Sequence, residues 1–337
     1  MRNVLLHVSG RPFVALHLLD ALRARPEVAQ VFLLDSTPER GPAKRAQGAS
    51  PKLKIFSGEL PTYQRGARGG VWQEFADEID TVLYCGEGGG ESGAEQAPDA
   101  GPLKSWLAFL EDRAEVRLGF LSTAFVAGRR RGLFTEFDLD CGQSFDDAWQ
   151  RRAFESERLL RASAAGGRVT VYRPSHVVGD SRSGEAHAFG GLYPVLRALR
   201  RGRLNLLAGD ARARLDIVPV NYVVNSLIEL SLRPEVAGRT YHLVGGWHRS
   251  MPVKEFVRFV GSHGRGSVAK VFVVPPVLAG ALRGRGERLA TAAVFDDYMA
   301  RVALEPRGLS CPPAESYLGP VIEFAEGRGW TAPGGSG

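Results

Sequence analysis

The stretch FDDAWQRRAFESERLL, at residues 145–160, decides how the middle of this chain folds. It lies between two apolar stretches, STAFVAG at 122–128 and RVTVYRPSHVVGD at 168–180, that have the composition of buried strands. A helix between two such strands predicts a βαβ unit, in which both strands run parallel in one sheet. The sequence therefore predicts a helix over residues 145–160 within an α/β domain.

The part of the chain before this stretch shows the same alternation of short apolar runs and helical spacing. Strands are predicted at Arg2–His7, Val28–Asp35, Leu53–Phe56, Ile79–Cys85 and Val116–Ser122, and helices at Pro12–Arg25 and Leu103–Asp112. Strands that alternate with helices predict a Rossmann-like, doubly wound parallel sheet. The fold class predicted is α/β, with this sheet and a smaller C-terminal substrate lobe.

The domain organisation follows from a change in this alternation near residue 180. Residues 1–180 are assigned to the Rossmann-like domain, to which segments at about 215–245 return. Residues 181–330 are assigned mostly to a substrate-binding lobe. Residues 331–337, which are rich in Gly, are predicted to form a flexible tail.

Composition and charge argue against several classes of function. The chain has 337 residues, is 44% hydrophobic and carries a formal net charge of +6. Its Arg residues are spread along the sequence rather than massed with aromatic residues, so nucleic-acid binding is not expected. No apolar run is long enough for a transmembrane helix, and the amino terminus lacks a signal-peptide layout. We therefore expect a cytoplasmic protein.

The cysteines do not predict a disulfide framework or a metal site. Cys85, Cys141 and Cys311 are few, odd in number and widely spaced. They are expected to be small buried apolar side chains. The sequence also lacks a Ser-His-Asp motif and a phosphate-binding P-loop. No metal ligand is predicted.

Several segments in a fixed order carry a resemblance to a known family. They are STAFVAG at 122–128, the helix at 145–160, VYRPSHVVGDSRSG at 171–184, LDIVPVNYVV at 215–224 and TYHLV at 240–244. The chain resembles an extended short-chain dehydrogenase/reductase, and within that superfamily the thioester-reductase and fatty-acyl reductase branch. The resemblance continues through CPPAESYLGPVIEF at 311–324. It implies a Rossmann fold, an NAD(P)H site and a Tyr-x-x-x-Lys pair for proton transfer.

The resemblance places Trp149 at the position of the family's Tyr and Ala153 at that of its Lys. An indole cannot act as a general acid near neutral pH, and alanine offers no charge. Thr123 matches the Ser or Thr that binds the substrate oxygen. His176 follows a strand expected to line the cleft and is the best remaining titratable candidate, with a purely structural His as the alternative.

The family's glycine turn, TGxxGxxG, corresponds to residues 7–14, where valines and Arg11 replace the glycines. Gly10 remains, one position out of register. Asp35 lies where an acid would bind a ribose, and Glu59 where an acid would lie near adenine. Gly10, Arg11, Asp35 and Glu59 would contact NAD(H) if a dinucleotide bound, although a turn glycine and a solvated acid are ordinary alternatives. The sequence predicts that no cofactor binds.

These losses serve one reaction, and together they favour a pseudoenzyme with a degenerate active site. We expect a scaffold that binds a small lipophilic or acyl ligand or a protein, without classical oxidoreductase activity. The alternative is an unorthodox NAD(P)H-dependent reductase or isomerase that acts on an acyl, polyketide-like or lipophilic substrate through Thr123 and His176. A homodimer or heterodimer through the family's helical face is a further expectation, and the basic amphipathic stretch 189–207 is a candidate surface.

Overall fold

The structure is a computed structural model, and it describes only part of the chain. The described residues are 1–9, 13–36, 42–45, 51–58, 60–63, 72–73, 77–86, 101–202, 206–208, 214–263, 272–274 and 293–331. Three residues predicted to contact a dinucleotide, Gly10, Arg11 and Glu59, lie outside these ranges. The end of the chain predicted as a tail is also outside them, apart from Thr331.

The described residues form fifteen strands. They are β1 (Arg2–Val8), β2 (Val28–Asp35), β3 (Leu53–Ser57), β4 (Thr81–Cys85), β5 (Arg117–Leu121), β6 (Gly132–Phe134), β7 (Val169–Pro174), β8 (His176–Val178), β9 (Leu206–Ala208), β10 (Arg214–Leu215), β11 (Ile217–Pro219), β12 (Thr240–Leu243), β13 (Met251–Pro252), β14 (Phe272–Val274) and β15 (Ala293–Phe295).

The described residues also form ten α-helices and five 3-10 helices. The α-helices are α1 (Phe13–Ala24), α2 (Pro42–Arg45), α3 (Gly101–Asp112), α4 (Ala148–Ala162), α5 (Tyr193–Arg200), α6 (Val220–Ser231), α7 (Gly246–Arg249), α8 (Val253–Ser262), α9 (Tyr298–Leu304) and α10 (Leu318–Gly327). The 3-10 helices are Ala124–Ala127, Gly166–Arg168, Pro234–Val236, Glu305–Arg307 and Ala314–Ser316.

Seven parallel strands form the central sheet, in the order β12-β7-β5-β4-β1-β2-β3. Successive side chains of a strand point to opposite faces, and β1 shows why both faces are covered. Val4, Leu6 and Val8 join one buried cluster, and Leu5 joins the cluster on the other face. Because both faces are apolar, helices pack on each of them. The predicted Rossmann-like α/β class is confirmed.

A third buried cluster lies mostly in the C-terminal part of the chain, where the sequence predicts a smaller lobe. Helices α5, α8 and α10 supply much of it, through Tyr193, Phe256 and Val321 among others. The chain also returns to the main sheet, because β12 pairs with β7 in parallel. Strand β12 is therefore an edge strand of the central sheet.

The helix predicted over residues 145–160 begins later than expected. Helix α4 starts at Ala148 because Asp147 has an extended backbone and its Oδ1 accepts from the amide of Gln150 at 2.8 Å. Such a side-chain acceptor caps the first turn and fixes where the helix begins. Residues 145–147 thus precede the helix. None of the helices in the described ranges is long and apolar enough to cross a membrane.

Candidate active site

The carboxyl ends of the parallel strands form the edge at which doubly wound sheets bind ligands. Val8 ends β1, Asp35 ends β2, and Thr123 follows β5 by two residues. The structure thus brings three of the positions that the sequence singled out to one edge of the sheet. What each of them does there differs from the role that the resemblance implies.

The glycine turn has been replaced by side chains that belong to the core. Val8 has no exposed surface and Val14 is 7% exposed, and both join the main buried cluster of the sheet. In a dinucleotide turn these positions have no side chain, so that the backbone can approach the pyrophosphate. Removing either valine side chain would open the core rather than a phosphate site. The described part of this turn does not fit a dinucleotide.

Asp35 is fully buried and holds a neighbouring segment of the chain. Its Oδ2 accepts from the backbone amide of Ala43 at 2.9 Å, near the start of α2. A ribose-binding acid has to present its carboxylate to the cofactor. The predicted ribose contact is therefore not supported by the position of this carboxylate. The carboxylate is buried in the protein and accepts a hydrogen bond from a backbone amide.

His7 lies at the same strand end, near the carboxyl end of β1, and is buried. Burial lowers the pKa of His7 to about 3. Its Nδ1 accepts from the indole of Trp106 at 2.8 Å, so the proton of the neutral ring lies on Nε2, 3.0 Å from Ser36 Oγ. The ring ties β1 to α3 and to the end of β2. It is a structural histidine. In the sequence it is marked only by its apolar neighbours.

Thr123 is 3% exposed and caps a 3-10 helix. Its Oγ1 accepts from the amide of Phe125 at 3.2 Å and lies 3.5 Å from the carbonyl oxygen of Pro174. Both contacts are internal to the protein. The hydroxyl that the resemblance assigns to the substrate oxygen therefore serves the turn that follows β5.

Trp149 and His176 both pack against the ring of Phe125. The ring centroid of Phe125 lies 6.2 Å from that of Trp149, 4.5 Å from that of His176 and 6.2 Å from that of Phe295. Aromatic rings pack well at such separations. The place assigned to the family's tyrosine is therefore occupied by an apolar aromatic cluster, in which His176 is the titratable member.

Ala153 completes this cluster. It is buried and packs in the same group of residues as Phe125, Phe154 and Phe295. In the family's arrangement a Lys ammonium would stand here and hold the ribose, but a charge in this setting would have to be desolvated. Helix α4 thus presents apolar side chains at both Trp149 and Ala153.

A buried ionic network lies beside these positions, and no sequence pattern indicates it. Glu157 of α4 and Arg173 of β7 have no exposed side-chain surface, and Arg173 Nη2 donates to Glu157 Oε2 at 2.6 Å. Ser122 Oγ donates to Glu157 Oε1 at 2.6 Å, and Arg173 Nη1 lies 3.1 Å from Nε2 of His242. Burial and the charge of Arg173 lower the pKa of His242 well below its usual value. The ring is therefore neutral.

Glu136 fastens the segment around α9 to the sheet. Its Oε1 accepts from the amides of His242 at 2.9 Å and Ala300 at 3.0 Å, and its Oε2 from the amide of Met299 at 2.5 Å. Burial raises the pKa of Glu136 to about 7, against the opposing effect of these amides. This carboxyl group is a structural clamp that titrates near neutral pH.

Two further polar side chains, Asp216 and His187, also have structural contacts. Asp216 Oδ1 accepts from Ser175 Oγ at 2.5 Å and from the amide of Gly245 at 2.8 Å, and burial raises the pKa of Asp216 to about 6. The ring of His187 stacks on that of His17 with centroids 4.1 Å apart. Within the described ranges no three His, Cys, Asp or Glu side chains are grouped to hold a metal ion.

The comparisons with known proteins agree with this fold. A family model for an NAD-binding group, described as male sterility protein, matches residues 21–227. The match begins within α1, after the strand and turn that would hold the pyrophosphate. The nonribosomal peptide synthetase asaC of Aspergillus flavus is 25% identical over 114 residues, which cover 32% of this chain. These residues span only 11% of that protein.

Solved structures are similar over nearly the whole chain. The terminal R domain from the myxalamid PKS-NRPS pathway has a TM-score of 0.74 and 22% identity, covering 99% of this chain and 92% of that one. UDP-glucuronic acid 4-epimerase from Bacillus cereus, solved with UDP-glucuronic acid and NAD, has a TM-score of 0.67 and 13% identity. Coverage there is 96% of this chain and 99% of that one. Identities this low establish the fold alone.

Proposed function

The chain belongs to the male sterility protein family, within the extended short-chain dehydrogenase/reductase class expected from its sequence, and we propose that it is a non-catalytic member. One observation carries the proposal. The position assigned to the family's tyrosine is held by Trp149, which packs on Phe125 within an apolar cluster that also includes Ala153. The scaffold is kept, while the two groups that would handle the proton are replaced by apolar side chains.

The chemistry of the described site supports this proposal. Carbonyl reduction needs a group that gives up a proton as the oxygen becomes an alkoxide. The indole of Trp149 is a hydrogen-bond donor that does not ionise near neutral pH, and Ala153 cannot lower the pKa of a neighbour. Thr123 already caps the turn that follows β5. The remaining titratable ring, His176, stands against Phe125.

The family binds NAD, and the second part of the proposal is that this chain does not. Val8 and Val14 are core residues, and the carboxylate of Asp35 faces Ala43. A dinucleotide bound in the family's manner would need space for its pyrophosphate at the first two positions and an accessible acid at the third. We propose that the cleft instead binds a small acyl or lipophilic ligand, or a protein.

A titration with NADH and NADPH tests the proposal directly. We expect neither a change in nicotinamide fluorescence nor a thermal shift up to about 1 mM, well above the affinity that functional sites need. The Bacillus cereus epimerase, which has been solved with NAD, is the positive control under the same conditions. A dissociation constant in the micromolar range for either dinucleotide would overturn the proposal.

An unorthodox reductase or isomerase is the second candidate. The observation in its favour is that His176 is partly exposed. It follows the carboxyl end of β7, at the same edge of the sheet as Thr123. It would act on an acyl, polyketide-like or lipophilic substrate, with His176 or a water as proton donor. In that case Thr123→Ala or His176→Ala would abolish turnover of an acyl thioester with NAD(P)H. Full activity in both variants would exclude this mechanism.

A further inference from the structure

We propose that a pocket in the C-terminal lobe, between helix α5 and the end of α10, binds a planar aromatic carboxylate. The cavity measures about 360 Å³, which is within the range of small-molecule sites. It lies in the smaller lobe, and none of Thr123, Trp149, Ala153 and His176 lines it. Its wall consists mainly of Phe189, Tyr193, Pro194, Arg197, Arg201 and Trp330.

One side of the pocket is a fixed aromatic surface. Phe189 packs edge to face on Tyr193, with ring centroids 4.9 Å apart. The Tyr193 hydroxyl accepts from the amide of Gly179 at 2.8 Å, so the side chain cannot move away from this position without losing a buried hydrogen bond. Rings held in this way favour a flat aromatic ligand, because ring-on-ring contacts add to the burial of apolar area.

Trp330 forms another wall, and its backbone is strained. Its φ of 63° is the only positive φ found at a non-glycine residue in the described ranges. A bulky side chain in this left-handed region is unfavourable, and such outliers gather at binding sites. The amide of Trp330 donates to the carbonyl of Ala325 at 2.8 Å, which anchors the residue at the end of α10. This strained turn places the indole against the pocket.

The rim of the pocket carries two arginines whose charges are not used elsewhere in the described structure. Arg197 and Arg201 are exposed and four residues apart, so both lie on the same side of α5 and its end. Among the described residues, neither guanidinium has an ion pair or a hydrogen bond. Arg200 differs, because its Nε donates to Glu326 Oε1 at 2.6 Å.

The combination of an aromatic wall with two such guanidinium groups determines the class of ligand. An arginine side chain presents parallel donors that match the two oxygens of a carboxylate. The aromatic rings in the wall favour contact with a flat aromatic body, because ring-on-ring contacts add to the burial of apolar area. An aromatic monocarboxylate supplies both parts. The pocket is separate from the strand ends of the central sheet, so its ligand does not depend on whether a dinucleotide binds at those strand ends.

Calorimetric titration of the whole chain with 2-naphthoate tests the site. 2-Naphthalenemethanol, which keeps the rings and lacks the charge, is the matched ligand, and octanoate keeps the charge without the rings. We expect 2-naphthoate to bind roughly tenfold more tightly than either, since a charge-assisted hydrogen bond and an aromatic contact are each worth about this much. Equal affinities for 2-naphthoate and the alcohol, or for 2-naphthoate and octanoate, would overturn the inference.

Two double variants test whether 2-naphthoate binds at this pocket. The Arg197→Ala/Arg201→Ala protein should bind 2-naphthoate roughly tenfold more weakly and the alcohol unchanged. Lys104→Ala/Arg131→Ala removes the same charge from exposed positions elsewhere, and should bind as the parent does. Because both pocket arginines are exposed, their loss does not endanger folding, which circular dichroism would verify. No binding by the parent chain, or unchanged binding by the double arginine variant, would refute the site.

Discussion

Arg173 and Glu157 form an ion pair without exposed side-chain surface, in which Nη2 donates to Oε2 at 2.6 Å and Nε donates to Oε1 at 3.0 Å. Glu157 follows Ala153 by one helical turn, so both lie on the face of α4 that packs towards the sheet. The pair therefore holds this helix on β7 by a contact on the same face that carries Ala153. The packing of α4 on the sheet thus does not require a polar side chain at position 153.

Glu157→Gln should destabilise the protein by about 3–5 kcal/mol, because it leaves the guanidinium of Arg173 buried without a countercharge. Unfolding in urea, followed by circular dichroism, measures the change. Glu155→Gln is the control on the same helix, since Glu155 pairs with Arg158 at the surface and should contribute about 0–1 kcal/mol. Equal effects of the two substitutions would show that burial of the pair does not determine its contribution.

Glu136 should make the free energy of unfolding depend on pH between 4.5 and 7. Burial raises the pKa of Glu136 to about 7 from 4.5, so the folded state keeps a proton that the unfolded chain has released. Stability from this group is complete below pH 4.5 and is lost as the pH rises through 7, by up to about 3 kcal/mol.

Comparison with Glu136→Gln isolates this effect, because other buried groups such as His7 and Asp216 titrate in both proteins and cancel in the difference. The difference in unfolding free energy between parent and variant should change across this pH range. Glu155→Gln, which removes the same charge from an exposed position, should show no such change. A difference that stays constant from pH 4.5 to 7 would contradict the role of Glu136.

The fold was predictable because its information is local. Strand β2 spans Val28–Asp35, as its apolar run indicates, since a strand buried on both faces reads as a continuous apolar stretch. The start of α4 was not predicted, because the capping contact of Asp147 depends on the backbone geometry of the preceding residues. A cap can be recognised from sequence only where it stands directly before the apolar pattern.

The sequence indicates which positions belong to the candidate site but does not indicate their contacts. Trp149 and Ala153 can be assigned from their spacing within a family pattern. The pairing of Glu157 with Arg173 joins charges 16 residues apart on two elements, and no periodicity reveals it. The inward orientation of Asp35 likewise depends on Ala43, whose position is determined by the packing of α2. Polar contacts between residues that are distant in the sequence therefore cannot be predicted from its local patterns.

Ala153→Lys, which restores the family's residue, should reduce stability by about 2–4 kcal/mol. The new side chain would overpack the cluster of Phe125 and Phe295 and bring an ammonium group into apolar surroundings. Ala162→Lys is the control, because Ala162 is exposed in the last turn of the same helix, where a cation is tolerated. Thermal and urea unfolding compare them. A stable Ala153→Lys protein would mean that this position opens to a polar cleft.

Asp35→Ala should lower the free energy of unfolding by about 1–3 kcal/mol, because the amide of Ala43 would lose its acceptor inside the protein. Asp35→Asn keeps an oxygen that can accept the same bond, so it should retain more stability than the alanine variant. Asp20→Ala provides a matched surface control, since Asp20 is exposed on α1. Its effect should stay within about 0.5 kcal/mol.

A ribose contact would give a different pattern from these variants. If Asp35 held the cofactor, NADH affinity would fall in both Asp35→Ala and Asp35→Asn, and stability would change little, because a ligand-facing carboxylate has few internal partners. The buried contact with Ala43 predicts the reverse. The free energy of unfolding should fall more in Asp35→Ala, which lacks the acceptor, than in Asp35→Asn. NADH fluorescence should not change on titration of the parent or of either variant. Measuring unfolding and NADH fluorescence on the same samples separates the two roles.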